Sequence, residues 1–156
     1  TAWELAKYPA KIHLSKEIEH VRYYVSIEQV RFPDMEIRFD LQSGDFLLPA
    51  LSVQPLVENA LEHGLDVKEE GEKILRISCR QDHEDIIWTV EDNGVGMEEV
   101  VADNMVKTHT SGYGVRNVNE RLILLYGEHY GLRIESEPGK GTQVEVHIPK
   151  NQPEKA

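Results

Sequence analysis

The stretch from Asp92 to Gly114 constrains this chain most, because it sets an acid and two glycine pairs around a polar linker. It opens as Asp92-Asn93-Gly94-Val95-Gly96, just after an apolar run ending at Val90, and closes as Gly112-Tyr113-Gly114, where a helical pattern starts. An acid at a strand end can hold a ligand through one directed hydrogen bond. Glycine has no side chain to keep a ligand off the backbone, and it tolerates positive φ. The second pair opens a helix, where free N–H groups and the helix dipole favour an anion. The stretch reads as a site for a base and a phosphate, with a mobile flap between its halves.

Other readings of these residues fit less well. Asp-Asn-Gly is a strong turn signal, but a hairpin needs a strand directly after Gly94, and Val95 to Glu99 reads Val-Gly-Met-Glu-Glu. A calcium loop needs oxygen ligands at alternate positions, which Gly94 and Gly96 interrupt. Gly112 and Gly114 begin like a dinucleotide fingerprint, yet the third glycine is missing and no strand precedes them.

The rest of the chain alternates between two periods. Residues 15–31 space Ile18, Val21, Tyr24, Val25 and Glu28 as one helix face, with Ser15 as its N-cap. Met35 to Leu41 alternates as a half-buried strand. Ser52 caps a second helix, Pro55 sits in its first turn and Gly64 ends it. Lys73 to Arg80, Asp85 to Val90, Leu132 to Ser136 and Gln143 to Ile148 read as further strands, the last two joined through Pro138-Gly139-Lys140-Gly141. Met97 to Ser111 lacks clear periodicity and is expected to be a loop or lid. Tyr113 to Tyr126 is a third helix, stopped by Gly127. About three helices and five strands, not interleaved one for one, predict a mixed sheet with helices on one face.

Asn59 falls in mid-helix, either as a hydrogen-bonded helix residue or as a hard oxygen ligand for Mg²⁺. Asn59 and His63 share one helix face, and Glu58 and Glu62 another. The other histidines are scattered, Trp3 and Trp88 read as packing residues, and Lys68 to Lys73 reads as a solvated loop. A net charge of -11 disfavours nucleic acid or an anionic membrane as partner. With Cys79 as its one cysteine, the chain has no internal disulfide, which fits a reducing compartment.

In order along the chain, these features resemble the ATP-binding domain of the superfamily that joins gyrase, the heat-shock chaperone, histidine kinases and mismatch-repair ATPases. Gln54-Pro55-Leu56-Val57-Glu58-Asn59-Ala60-Leu61-Glu62-His63-Gly64 resembles the N box, Asp92 to Gly96 the G1 box, Gly112 to Val118 the G2 box, and Pro138 to Thr142 the closing turn. The opening from Leu14 to Val21 and on to Arg31-Phe32, the Gln54 to Ala60 run and Asn119-Glu120-Arg121-Leu122 are similar to the LytS/YesM-type sensor histidine kinases. The resemblance implies an α/β two-layer sandwich of the Bergerat type, with a mixed, mostly antiparallel sheet. It implies ATP and Mg²⁺ as cofactors. Asp92 would accept from the adenine amine, Thr142 would help through water, and Asn59 would hold Mg²⁺. His63, Gly94 and Gly96 would line the site, and the backbone at Gly112, Tyr113, Gly114 and Val115 would meet the phosphates.

Two departures from the family pattern sharpen the expectation. Pro55 stands where many of these ATPases carry a water-activating Glu, which favours transfer to an imidazole, a nucleophile with its own lone pair. Glu62 stands where histidine kinases often carry a Lys or Arg, and predicts modest nucleotide affinity. Glu58 and His63 are the candidate catalytic residues. The family's phosphoacceptor segment is absent, and His20 has no such context.

The chain is therefore expected to comprise a linker helix region at 1–31, a catalytic domain at 32–150 and a tail at 151–156. Its expected partners are its own upstream dimerisation segment and a response regulator. Its parent is expected to be a membrane-bound homodimer, and this piece a monomeric cytoplasmic domain. An anti-sigma-type serine kinase and a non-catalytic nucleotide sensor are the alternatives.

Overall fold

Alternation of apolar and polar residues decides which face of the sheet is covered. In the computed structural model, which describes residues 11–42, 44–49, 52–107 and 113–150, five strands form one sheet. They are β2 (Glu36–Leu41), β4 (Ile74–Asp82), β5 (Asp85–Asp92), β6 (Gly131–Glu137) and β7 (Gly141–Pro149), in the order β2-β4-β5-β7-β6. The pair β2–β4 is parallel and the other neighbours are antiparallel. Leu75, Ile77 and Cys79 of β4, Ile86, Trp88 and Val90 of β5, and Val144, Val146 and Ile148 of β7 are buried on one face. The opposite face carries Arg76, Glu91, Gln143 and Glu145 and is solvated, as an antiparallel sheet permits.

The helices cover the apolar face. They are α1 (Leu14–Arg31), α2 (Gln54–Asn59) with a π-helical continuation at Ala60–Leu65, α3 (Glu99–Lys107) and α4 (Tyr113–Tyr126). One core joins Leu14, Ile18, Val21 and Val25 of α1 to Leu56, Val57 and Leu61 around α2, and to Val115, Val118 and Leu122 of α4. The expected two-layer sandwich with a mixed, mostly antiparallel sheet of five strands is what forms.

Three local expectations are corrected, and one small ribbon adds to the fold. Within the expected loop at 97–111, Glu99–Lys107 form a helix, α3, and 108–111 lie outside the described residues; the helix buries Ala102 and Met105 while Val100 and Val101 stay exposed, which blurs the apolar stripe. Three-residue strands at β1 (Lys11–His13) and β3 (Leu47–Pro49) pair as a small antiparallel ribbon, too short to show a period. Ser15 is not the cap of α1, which starts at Leu14; its N–H and hydroxyl donate to Asp45 at 3.0 and 2.9 Å. Ser52 does not cap α2 either. Its hydroxyl donates to the Pro49 carbonyl, and the buried Glu17 carboxylate on α1 receives the N–H groups of Val53 and Gln54 at 2.8 and 3.3 Å.

At the other end of the core, the buried Asn119 on α4 accepts the Leu132 N–H at 2.9 Å and so fixes where β6 begins. An alanine there leaves a backbone donor without its partner. Asn119→Ala should cost about 1–3 kcal/mol, read in urea unfolding as a lower midpoint at unchanged slope.

Candidate functional site

Asp92 closes β5 on the covered face, with Leu75 and Thr142 opposite it on the neighbouring strands. It is 6% exposed. Burial disfavours the charged form and pushes its carboxyl up from 3.8 to about 6, although N–H groups of Gly94 and Thr142 stabilise the anion. The Gly94 N–H donates to Oδ1 at 2.8 Å.

Bare backbone walls this carboxyl. A Cβ on Gly64 would lie 2.6 Å from Oδ1 of Asp92, and one on Gly94 would lie 2.3 Å from the Gly64 carbonyl carbon. A Cβ on Gly141 would come to 2.0 Å from the Asp92 carbonyl oxygen. At Gly96, where φ is +69°, a Cβ would meet the Glu137 carbonyl oxygen at 2.0 Å. The open sides of Gly94 and Gly96 therefore face protein: one seats the helix on the strand end, the other tucks the loop beneath the β6–β7 hairpin.

Asn59, the last residue of α2, is 8% exposed, and no hydrogen bond engages its amide among the described residues. Directly after it the helix widens. The Asp66 N–H reaches the Leu61 carbonyl at 2.7 Å, a spacing of five residues. The helix therefore runs through Gly64, which was expected to end it, and presses that glycine against Asp92. The Val95 N–H then donates to the Gly64 carbonyl at 3.2 Å. This one wide turn sets Gly64, five residues after Asn59, against the Asp92 carboxyl.

The same widening separates Asn59 from His63. Four-residue spacing puts two side chains on one face of an α-helix, but the π turn starts between these two, and His63 is exposed while Asn59 is buried. Glu58 accepts from the Gln54 amide at 3.1 Å. Burial raises the Tyr24 phenol on α1 to about 12, with Glu58, Glu28, Glu62 and Asp66 adding to the effect. Glu58 and Glu62 thus act on the side of their helix that faces α1.

Sequence reasoning missed several residues that hold the site. Asn93 accepts the Ile74 N–H at 2.8 Å and donates to the Glu72 carbonyl at 3.0 Å, clamping the loop after β5 to the start of β4. Lys68 donates to the carbonyls of Glu72 and Asn93 at 2.7 and 2.9 Å, and Lys73 to those of Leu65 and Lys68. Residues 68–73 are therefore not merely solvated: their ammonium groups donate to carbonyls at and just beyond the end of the widened helix. A lysine near a helix C-terminus is the available signal. Ser136 is half-buried opposite Thr142, with their hydroxyls 2.7 Å apart, and it accepts the Met97 N–H at 2.9 Å. Its outward-alternating neighbours Glu135 and Glu137 disguise it as a surface serine.

Of the expected phosphate-contacting residues, Gly112 lies outside the described residues. Tyr113, Gly114 and Val115 form the first turn of α4, and the Val115 side chain is buried in the core, so only its backbone is available. Among the described residues no group of three or more His, Cys, Asp or Glu could cage a metal. A buried amide oxygen with no hydrogen-bond partner among the described residues does fit Mg²⁺, which takes few protein ligands and completes its octahedron with water and phosphate. The solvated face of the sheet holds a concavity of about 540 Å³ between Arg38, Arg76, Glu91 and Gln143, and Asp92 and Thr142 also line it. Asn59 does not line it.

Residues 45–152 match the family model described as histidine kinase-, DNA gyrase B- and HSP90-like ATPase. The chain is 37% identical over 142 residues to sensor histidine kinase YesM of Bacillus subtilis, covering 88% of this chain and 24% of that protein. It is 35% identical over 149 residues to sensor protein LytS of the same organism, covering 90% and 25%. The chain thus spans about a quarter of the length of these curated relatives. In fold it is similar to the catalytic domain of histidine kinase ThkA, with a TM-score of 0.67 at 15% identity over 92% of this chain and 96% of that one. It is also similar to Acinetobacter baumannii histidine kinase AdeS, with a TM-score of 0.68 at 18% identity over 92% and 68%.

Two outcomes follow from the geometry around Asp92. Its carboxyl holds a proton more tightly folded than unfolded, so the native state binds more protons between pH 3.8 and about 6. The stability this gives is present below that window and lost as pH rises through about 6. Asp92→Asn has no such group, so the variant should gain up to about 3 kcal/mol relative to wild type between pH 4 and pH 7, in paired urea titrations. Gly94→Ala forces a methyl into the Gly64 backbone and should lose about 3 kcal/mol in the same assay.

Proposed function

Because the chain belongs to the family of histidine kinase-, DNA gyrase B- and HSP90-like ATPases, we propose that it is the ATP-binding catalytic domain of a sensor histidine kinase. It would transfer the γ-phosphoryl of ATP to a histidine on a dimerisation segment outside this chain. The observation that carries the reading is a buried carboxyl, Asp92, packed against Gly64 of the helix that also carries Asn59, a buried amide with no hydrogen bond among the described residues. A carboxylate that takes N–H groups suits the exocyclic amine of adenine. Thr142, paired with Ser136, lies beside it on the next strand. The first turn of α4 offers backbone N–H groups to phosphate oxygens. Asn59 would hold Mg²⁺, and the ion would neutralise charge developing on the transferred group.

Catalysis of this kind is mostly positioning and charge stabilisation. It asks little of Glu58 or His63, of which the first is engaged by Gln54 and the second is exposed. Pro55, in the first turn of α2, leaves no carboxylate at that position to activate water. That supports an imidazole acceptor over a hydroxyl. Helix α1 would be the end of the segment that links this domain to its dimerisation helices, and a response-regulator aspartate would be the next acceptor. The parent would be a membrane-bound homodimer with this domain in the cytoplasm; among the described residues no helix is long and apolar enough to cross a membrane.

Calorimetric titration with ATP and Mg²⁺ should give heat for the wild type, and Asp92→Ala should bind about thirtyfold more weakly or not at all. Binding that survives this change intact would contradict the adenine assignment. A longer chain that includes the dimerisation segment should label from ATP at a site that acid removes, since phosphohistidine is acid-labile. An acid-stable label would point to a serine acceptor, and no label at all to a non-catalytic sensor.

A further inference from the structure

The start of α2 has a buried N–H group at Val53, a half-buried one at Gln54 and no side chain of its own to receive them. Val53 flanks the helix with helical dihedrals and offers no cap. The Ser52 hydroxyl is turned to the Pro49 carbonyl. Pro55 has no N–H, and the Leu56 and Val57 N–H groups reach the Val53 carbonyl, both at 3.1 Å. What is left is the pair at Val53 and Gln54, and Oε1 of Glu17 takes both, at 2.8 and 3.3 Å.

Glu17 is 1% exposed and lies on the core stripe of α1 with Leu14, Ile18 and Val21. A carboxylate in that setting is costly unless hydrogen-bonded. Here it meets two N–H groups and the positive end of a helix dipole. The helix it caps runs only from Gln54 to Asn59 before it widens. Asn59 therefore lies little more than one turn from the Glu17 contact, whereas Asp92 and Thr142 are fixed by the sheet.

We propose that Glu17 is a positioning residue for Asn59: by capping α2 from the neighbouring helix, it sets where the metal-holding amide sits. The metal half of the site then depends on α1 staying docked, and the base half does not. This rests on Asn59 as the Mg²⁺ residue and Asp92 as the adenine residue. Removing the carboxylate leaves one buried and one half-buried donor without it, and the first turn of α2 unwinds towards Asn59.

Two measurements on this chain test the idea. Amide exchange at Val53 and Gln54 should quicken at least tenfold in Glu17→Ala with no ligand present, while Val90 and Val144 in the sheet keep their protection. ATP affinity should be measured with Mg²⁺ and with chelator. In Glu17→Ala the tightening that Mg²⁺ gives should shrink at least fivefold, with chelator-buffer affinity within twofold of wild type. Glu17→Gln keeps an acceptor oxygen and should fall between the two. Should the alanine variant not fold, the glutamine variant carries the comparison at a twofold threshold. Equal Mg²⁺ tightening in wild type and variant overturns the proposal, and so does a proportional loss in both buffers. A wild type that binds no ATP in either buffer sinks the nucleotide reading itself.

Discussion

A carboxyl group enclosed by bare backbone is the constraint on which the rest of this molecule depends. Asp92 sits at a strand end with Gly64 against its oxygen, Gly94 against Gly64 and Gly141 against its carbonyl. A side chain at any of these positions would part the helix, the loop or the hairpin from the strand. The contact therefore sets the depth of the cleft, the path of residues 93–97 and the height of the β6–β7 turn together. Its electrostatic cost is visible in the raised carboxyl, and the surrounding core offsets it.

Much of this was legible from residue order. The five strands, the helix ending at Gly127 and the covered face of the sheet followed from period and punctuation, because each strand buries alternate residues against the same helical layer. The hairpin at 138–140 turned where its glycines said it would. The acid stands out by its place at a strand end beside two glycine pairs, and the amide by its place in mid-helix.

What was not legible depends on contacts between distant segments. Ser15 and Ser52 have the right type for caps, but neighbours took their hydroxyls first, Asp45 in one case and the Pro49 carbonyl in the other. Glu17 could have been suspected: it falls on the stripe of Leu14, Ile18 and Val21, where a charge needs a partner. Its partner lies 36 residues away and is backbone, which leaves no mark in sequence. The widened turn after Asn59 is equally silent, since nothing in Ala60 to Leu65 forbids ordinary α geometry. Helix α3 was hidden because Val100 and Val101 spoil its stripe.

The strand order leaves β2 and β6 at the margins of the sheet, each with one row of backbone groups facing no other strand of that sheet. Such margins recruit foreign strands and seed fibrous assembly. On the solvated side β2 presents Glu36, Arg38 and Asp40, and β6 presents Arg133, Glu135 and Glu137. Any intruding strand would have to strip water from a charge at every second residue. The polar side of the sheet thus keeps the molecule from polymerising through the half of its sheet that it leaves bare.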